Sequence, residues 1–322
     1  MRIGIMGAGY ITSMVAPMLK HLNQIDCYAI ASRTPGLAEE SAKKYGFEKA
    51  YSDYESLLND PLVELVYVAT PHIFHYEHVK MCLDHNKPVL CEKPFMLNAK
   101  EAREIKEYAK RKQLFCAEAA WPRYQPSRQI ITDALNMDLI GEIHSLTTNL
   151  SYPRKDVRRM YDPALAGGAL MDVGVYGISF ITMHFGRDIE RLESAVQFTE
   201  SGVDGQDNLT ICYKDGKMAT VLCSIYSRTD RYGIFHGEKG YIMVENINNP
   251  QSVSIYDVDD NLLWHQDVPE QINGYEYEFI ESVNSIQNGL IEAPSMPLDD
   301  TIFNMEIMDS FRSSWGLKYP GE

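Results

Sequence analysis

The chain has 322 residues, of which 45% are apolar, 11% aromatic and 23% charged, and this composition is typical of globular proteins rather than disordered ones. A chain of this length exceeds what one hydrophobic core usually organises, so two domains are expected. Thirty Lys and Arg against 45 Asp and Glu give a net charge of −15. A surface of that sign repels phosphate backbones and anionic lipid, so neither nucleic acid nor a membrane is an expected partner.

The cysteines and the start of the chain indicate where the protein works. The six cysteines form no Cys-x-x-Cys pair and most lie in apolar stretches, which indicates reduced, buried thiols. The first residues contain no long apolar segment and no small-residue cleavage site, so no secretory signal is expected. No apolar run approaches membrane-spanning length, since even residues 62–69 are interrupted by Glu64. A soluble, cytoplasmic protein is the expectation.

Short apolar runs alternate with amphipathic segments over the first third of the chain, which is the pattern of a parallel sheet covered by helices. The predicted strands are 3–6, 27–31, 65–69, 89–91 and 114–117. The predicted helices are a stretch from the turn at residue 9 to about residue 22, then 37–45, 75–85 and 99–112. These elements predict a doubly wound α/β domain over residues 1–120.

After about residue 121 the hydrophobic pattern changes to alternation, which indicates a half-exposed, largely antiparallel sheet. The alternating residues are Leu209, Ile211 and Tyr213, then Val221, Cys223 and Ile225, then Val253 and Ile255. Asp215-Gly216 between the first two runs is a hairpin signal. Helices are predicted over 126–137, 171–184, 275–288 and 301–315. An α+β domain with an open sheet is therefore expected over 121–322, and its last helix can fold back against the first domain.

A glycine turn follows the first strand directly and opens a helix. Its sequence over residues 7–12 is GAGYIT, and a pyrophosphate at this place would meet backbone N–H groups and the positive end of the helix dipole. The predicted contacts to a dinucleotide are Gly7, Gly9, Tyr10 and Ile11. Thr12 stands where a third Gly or Ala normally brings helix and strand together. The alternative is an ordinary glycine turn.

The end of the second strand distinguishes the two nicotinamide dinucleotides. An acidic residue there would accept hydrogen bonds from a ribose 2′-OH, but the chain has Ser32, Arg33 and Thr34. A guanidinium beside two hydroxyls suits a 2′-phosphate, which favours NADP(H). NAD(H) remains possible, and the alternative for Arg33 is a solvated side chain in a turn.

Three motifs together resemble a known family. Residues 91–95 (CEKPF) end one predicted strand, residues 69–75 (ATPHIFH) follow another, and residues 167–176 (GGALMDVGVY) lie in the second domain. With the glycine turn, they are similar to the Gfo/Idh/MocA family of nicotinamide-dependent oxidoreductases, whose first domain is a Rossmann fold. The resemblance implies that Thr70, His75, Glu92 and Lys93 contact the cofactor.

Tyr176 narrows the resemblance, because most members of the family carry His there. Tyr176 and residues 118–124 (EAAWPRY) are similar to the subgroup of dimeric dihydrodiol dehydrogenase, 1,5-anhydrofructose reductase and NADP-dependent xylose dehydrogenase. That subgroup implies a Tyr and Lys pair in catalysis, NADP(H), and a homodimer formed through the open face of the second sheet. It also places Trp121 and Arg123 along the substrate pocket, whereas packing between domains is the alternative for both.

The chemistry of alcohol oxidation fits these residues. Asp172 and Tyr176 are four apart, so a helix presents both on one face. A tyrosine, whose ordinary pKa is about 10, becomes a base near neutral pH only when a cation stabilises its phenolate, and Lys93 can supply that cation. We assign Tyr176 as proton acceptor in oxidation and donor in reduction, and Lys93 as the group that lowers its pKa and holds the substrate oxygen. Asp172 is assigned as an orienting acceptor for a substrate hydroxyl or for Lys93. Lys93 as the acid and base itself is the alternative, and Tyr176 as a core residue is another.

A metal site is not predicted. His72, His75 and His78 are spaced three apart with Cys82 beyond them, which suggests zinc, but His72 belongs to the loop at the strand end and the family resemblance gives His75 to the cofactor.

The predicted function is hydride transfer between NADP(H) and a secondary alcohol or carbonyl of a sugar, polyol or cyclic diol. The alternative is a sensor that binds the same molecules without turnover, and glycoside hydrolysis through transient oxidation is a distant third.

Overall fold

A computed structural model describes all 322 residues. The elements of the first half are β1 (Arg2–Met6), α1 (Tyr10–Leu19), β2 (Asp26–Ala31), α2 (Leu37–Tyr45), β3 (Lys49–Tyr51), α3 (Tyr54–Asn59), β4 (Leu65–Val68), α4 (His75–Asp84), β5 (Val89–Glu92), α5 (Ala99–Lys112), β6 (Cys116–Ala119) and α6 (Ser127–Asn136). Those of the second half are β7 (Ile143–Ser151), α7 (Arg158–Tyr161), α8 (Val175–Phe185), β8 (Ile189–Phe198), β9 (Asp204–Tyr213), β10 (Met218–Ser224), β11 (Gly233–Gly237), β12 (Gly240–Val244), β13 (Ser252–Asp257), β14 (Leu262–Asp267), α9 (Glu276–Gln287) and α10 (Leu298–Trp315).

The first sheet is parallel throughout and has six strands in the order β3-β2-β1-β4-β5-β6. Its central strands are buried along nearly their whole length, as expected when helices cover both faces. The order reverses between β1 and β4, and in open α/β sheets a ligand binds beyond the carboxyl ends of the strands at such a reversal. The predicted doubly wound Rossmann architecture is confirmed.

The helices of this sheet begin where the local sequence provides caps. The Asp53 side chain accepts the Ser56 N–H at 2.7 Å before α3, and Asn98 accepts the Glu101 N–H at 3.0 Å before α5. Strand β3 and helix α3 are not among the predicted elements. They have three and six residues, which is too short for a hydrophobic period to be recognised.

The second sheet has eight strands in the order β14-β13-β12-β11-β7-β10-β9-β8, and all neighbours pair antiparallel except β7 and β10. The prediction of a largely antiparallel sheet is therefore confirmed. Helix α8 lies close against it because two glycines face the strands. A Cβ on Gly177 would stand 2.5 Å from Val221, and one on Gly174 would stand 3.0 Å from the Cys223 sulfur.

The chain divides into two compact units, and neither is continuous. The first consists of residues Met1–Trp121 and Gln271–Ile302, and the second of Pro122–Glu270 and Phe303–Glu322. Residues 271–302, with α9, lie in the first unit, whereas the change of hydrophobic pattern near residue 121 predicts a single second domain over 121–322. Helix α9 packs on α1, and Cys116 donates its N–H to the Ile291 carbonyl at 3.0 Å beside β6. Helix α10 begins in the first unit and continues in the second.

One segment is apolar and long enough to cross a membrane by length and composition. It spans Pro163–Phe185, and most of it is buried inside the protein. The expectation that no run reaches this length is wrong for this segment. Its burial is typical of the core helix of a globular protein.

Candidate active site

The turn after β1 is shaped for close approach of a ligand to the backbone. Gly7 has φ +112°, and a Cβ there would stand 2.7 Å from the Ala69 carbonyl oxygen, so only glycine is accommodated. Gly9, at the N-cap of α1, has open space where its Cβ would be. Thr12 takes the place of the usual third Gly or Ala of the glycine turn, and its buried hydroxyl donates to the Gly7 carbonyl at 2.9 Å. Tyr10 is exposed and Ile11 is half-buried.

The end of β2 presents a cation held between two rings. The Ser32 hydroxyl accepts the Thr34 N–H at 3.2 Å and orders the turn. The exposed Arg33 places its guanidinium carbon 5.4 Å from the ring centre of Tyr54 and 5.1 Å from that of Phe74. These contacts restrict the side chain without neutralising its charge. Tyr54 and Phe74 are not among the predicted site residues, because they come from separate segments and carry no local signal.

The loop after β4 is secured by two histidines. The Thr70 hydroxyl lies 2.8 Å from His78 Nδ1, and the ring nitrogens of His75 lie 2.9 Å from the Pro94 carbonyl and 2.8 Å from the Thr70 carbonyl. Burial lowers the pKa of His75, and it lowers the pKa of His78 to about 4 with further contributions from Arg33 and His75. Both ring nitrogens of His75 therefore contact backbone carbonyl oxygens, and the side chain connects two loops. Its predicted contact with a cofactor would have to be made by the carbon atoms of the ring.

The carboxylate of Glu92 is buried inside the first unit. The Tyr67 hydroxyl donates to Glu92 Oε1, and Glu92 Oε2 accepts the Lys93 N–H at 3.1 Å. Glu278 on α9 is fully buried beside this group, and neither of its carboxyl oxygens has a hydrogen-bond partner. Burial and the charge of Glu92 raise the pKa of Glu278 well above its ordinary value. The side chain of Glu92 thus supports the backbone that presents the half-buried Lys93.

Trp121 ends the first stretch of the first unit, and its ring stacks on Tyr275 with centroids 4.2 Å apart and planes 6° apart. Only 7% of Trp121 is exposed. Tyr275 was not predicted as its partner, because it lies far along the chain and reaches this unit through residues 271–302.

In the second unit the predicted catalytic segment forms a π-helical turn over Leu170–Gly174 that leads directly into α8. Asp172 lies in this turn and Tyr176 in the first turn of α8, so the predicted single helix changes its hydrogen-bond pattern between them. Such π turns are rare and frequent at functional sites. Arg159 Nη1 donates to Asp172 Oδ1 at 2.5 Å. This partner was not predicted, and it fixes the carboxylate that we assigned to orient the substrate.

Arg123 is 3% exposed and supports α8. Its guanidinium donates to the Ser179 hydroxyl at 3.0 Å, the Ser179 carbonyl at 3.1 Å and the Thr182 hydroxyl at 2.9 Å. This arrangement gives Arg123 a structural task in the second unit, and its predicted contact with substrate stays a prediction.

The first unit fits a nicotinamide dinucleotide. The constrained Gly7, the open space at Gly9, the amino end of α1 without an acidic residue in its first turn, and the restrained Arg33 all lie at carboxyl ends of parallel strands. Backbone N–H groups there would hold the pyrophosphate, and Arg33 with Ser32 and Thr34 would hold the 2′ substituent of the adenosine ribose.

Comparison with known proteins agrees with this geometry. Residues 1–119 match the family model described as "Oxidoreductase family, NAD-binding Rossmann fold", and residues 129–243 match the Gfo/Idh/MocA C-terminal domain. The trans-1,2-dihydrobenzene-1,2-diol dehydrogenase of Mus musculus is 30% identical over 333 residues and that of Bos taurus 31% over 335, with 99% of this chain and 98% of each relative covered.

Solved structures share the fold. The 3-ketoreductase KijD10 from Actinomadura kijaniata, crystallised with NADP and TDP-benzene, superposes with a TM-score of 0.90 at 24% identity over 97% of both chains. The aldose-aldose oxidoreductase from Caulobacter crescentus gives a TM-score of 0.87 at 19% identity over 98% of both chains. Together, the two family models and the relatives that are 30% and 31% identical show that the chain belongs to the Gfo/Idh/MocA family of oxidoreductases, with an NAD(P)-binding Rossmann fold in its first unit.

Proposed function

We propose that the protein is an NADP(H)-dependent oxidoreductase that acts on a secondary alcohol or carbonyl of a cyclic diol, sugar or polyol. The observation that carries this proposal is the similarity to dihydrobenzenediol dehydrogenases over 99% of the chain. The restrained Arg33 at the end of β2 supports NADP(H) over NAD(H), because a guanidinium pairs with a phosphate and no acidic side chain follows β2 to bind a free 2′-OH.

The roles of the catalytic residues are proposed from their chemistry. A bound nicotinamide would supply or accept the hydride. In oxidation the Tyr176 phenolate removes the hydroxyl proton of the substrate, and in reduction the phenol returns it. Lys93 stabilises the phenolate and binds the substrate oxygen. Asp172, held by Arg159, accepts a hydrogen bond from a neighbouring substrate hydroxyl. Direct proton transfer by Lys93 is the alternative.

The decisive experiment measures initial rates by nicotinamide absorbance with NADP and with NAD at equal enzyme concentration. The substrates are a panel of trans-dihydrodiols, aldoses, inositols and anhydrosugars. We expect turnover with at least one class and a higher kcat/KM with NADP. Tight NADPH binding without turnover on any class would contradict the enzyme proposal and favour a sensor.

We also propose a cytoplasmic homodimer that forms through the open face of the eight-stranded sheet. Light scattering on the purified protein tests this assembly, with a mass of twice 36.7 kDa expected. A mass of one chain at micromolar concentration would contradict it.

A further inference from the structure

Two buried carboxyl groups lie beneath the π-helical turn of the second unit. Asp204 and Asp207, both on β9, are each 0% exposed. Buried carboxylates are costly unless a donor or cation compensates them, and most strand positions this deep are apolar. Two carboxyl groups at this depth therefore need contacts that compensate for their burial.

Asp204 holds the start of the π turn. Its Oδ2 accepts the Leu170 N–H at 2.6 Å, one of the amide groups that a helix start leaves without an internal partner. Gly168, two residues earlier, has φ +137°, and a Cβ there would stand 2.0 Å from Asp204 Oδ1. The backbone of residues 168–170 thus rests directly on the carboxyl group, and only glycine permits this approach.

Asp207 continues the support toward the other end of the turn. The Cys223 thiol donates to Asp207 Oδ2 at 3.3 Å, and the same sulfur would stand 3.0 Å from a Cβ on Gly174, the last residue of the π turn. The Oδ1 atoms of both aspartates receive no donor from elsewhere in the protein. The two carboxyl groups interact with each other through a side-chain hydrogen bond, and a proton shared between them would satisfy these oxygens.

The proton belongs mainly to Asp207. Burial raises the pKa of both groups, but backbone N–H donors at Leu170 and Ala169 oppose the rise at Asp204, whereas the charge of Asp204 adds to it at Asp207. The ionisable groups facing the pair are Cys223 on β10 and Tyr319 near the end of the chain, with Arg312 and Glu322 next to Tyr319. An ionised Asp204 is therefore compensated by backbone amides and by the Asp207 proton.

We propose that Asp204 is a positioning residue for the reaction, which holds the π turn so that Asp172 and Tyr176 face the substrate, while Asp207 supplies the hydrogen bond that allows Asp204 to be buried. The proposal rests on the function proposed above. Asp204 touches neither substrate nor cofactor in this role. Its effect is expected in kcat and in the KM for the substrate, not in the affinity for NADPH, which the first unit binds.

The test compares two isosteric variants. Asp204→Asn weakens the acceptor of the Leu170 N–H and leaves Asp207 facing an amide, and we expect kcat to fall at least tenfold at pH 7 with the Kd for NADPH within twofold of wild type. Asp207→Asn keeps Asp204 ionised and gives it a permanent donor. Its kcat should exceed that of Asp204→Asn and should hold at alkaline pH, where deprotonation of Asp207 lowers the kcat of wild type.

Controls separate this proposal from the one on which it rests. Asp215→Asn, in the exposed hairpin turn after β9, makes the same chemical change away from the pair and should match wild type. Lys93→Met and Tyr176→Phe report on the proposed function: if wild type has no turnover, or both variants retain it, the proposed function or its residues fail.

If wild type is active and those two variants are not, but Asp204→Asn keeps the kcat and alkaline profile of wild type, the positioning role alone is overturned. If Asp204→Asn does not fold, the pH profiles of Asp207→Asn and wild type decide, and identical alkaline limbs would overturn the proposal.

Discussion

At the scale of single residues, the first unit shows how the orientation of a charged side chain is restricted before a ligand binds. Arg33 is exposed, yet contacts with Tyr54 and Phe74 limit its orientations. Restricting a guanidinium before a ligand arrives reduces the conformational entropy that binding would otherwise cost. The nearby His78 has its pKa lowered to about 4 by burial, by Arg33 and by His75. His78 is therefore neutral at physiological pH, and the positive charge beside it is that of Arg33.

Replacing Arg33 tests its selectivity. Arg33→Asp should weaken NADPH by roughly 10- to 100-fold more than NADH, which corresponds to one or two lost charge-assisted hydrogen bonds and added repulsion of the 2′-phosphate. Fluorescence titration with each cofactor measures the two affinities. Arg111→Asp on α5 makes the same change in charge elsewhere, and an equal loss for NADPH and NADH in the Arg33 variant would refute the assignment.

Replacing Lys93 tests its part in the chemistry. Lys93→Met keeps an unbranched side chain that is shorter by one heavy atom and removes the cation, and turnover should fall by about 100-fold or more, the usual contribution of a positioned acid or base. NADPH titration should give a Kd within threefold of wild type, because the pyrophosphate is bound elsewhere. Unchanged turnover would remove Lys93 from the mechanism.

At the scale of elements, the π turn and α8 combine close packing with an unusual backbone. Glycines at 174 and 177 bring α8 against the sheet, and Gly167 passes the Met160 carbonyl, where a Cβ would stand 2.7 Å from its oxygen. The segment therefore has little freedom to shift. The family resemblance identifies the residues of this segment, but a π turn has no characteristic composition and could not be predicted from the sequence.

Gly168 provides the test of this element. Gly168→Ala adds a Cβ against Asp204 at a positive φ, and we expect a loss of about 3 kcal/mol in the free energy of unfolding from strain and overpacking. Gly202→Ala is the matched control, since φ is +90° there but the space is open, and about 1 kcal/mol is expected from backbone strain alone. Chemical denaturation measures both, and equal losses would show that Asp204 does not constrain residue 168.

At the scale of the whole molecule, each unit buries acidic groups that most sequence patterns would place on the surface. Asp204 and Asp207 lie in the second unit and Glu278 in the first, and all three are fully buried. Burial raises the pKa of each. Below about pH 4 these groups are protonated in the folded and the unfolded chain alike. As the pH rises, each group releases its proton in the unfolded chain before it does so in the folded one, so stability falls until the pH passes the pKa of that group in the folded chain.

Glu278→Gln isolates one of these groups. Glutamine cannot ionise, so the variant should gain stability relative to wild type as the pH rises from 5 to 8, by at most about 1.4 kcal/mol per pH unit. Glu92 and Tyr67, the ionisable groups with which Glu278 interacts, remain in place. Urea denaturation at the two pH values gives the difference, and a stability gap that does not change with pH would mean that Glu278 is not protonated in the folded protein.

The sequence predicted the parts of the molecule that depend on local pattern. The buried strands of the first sheet are continuous apolar runs, and the glycine turn and residues 91–95 lie at their ends as expected. The edge strand β8 was missed because half-exposed and exposed residues run along its length without alternation. Tertiary partners were also missed: nothing near Asp172 indicates Arg159, and nothing near Trp121 indicates Tyr275, because each pair forms only after distant segments pack.

The order in which the chain is synthesised has a consequence for how the protein matures. The first unit needs residues 271–302, which provide α9, the carbonyl that accepts the Cys116 N–H, and the Thr301 hydroxyl that donates to Glu118 at 2.9 Å. At ordinary elongation rates the ribosome reaches residue 302 roughly ten to forty seconds after residue 121. The dinucleotide-binding unit therefore stays incomplete, with part of its core exposed, while the ribosome synthesises all the strands of the second sheet. Cofactor binding should accordingly be absent from nascent chains that end before residue 302.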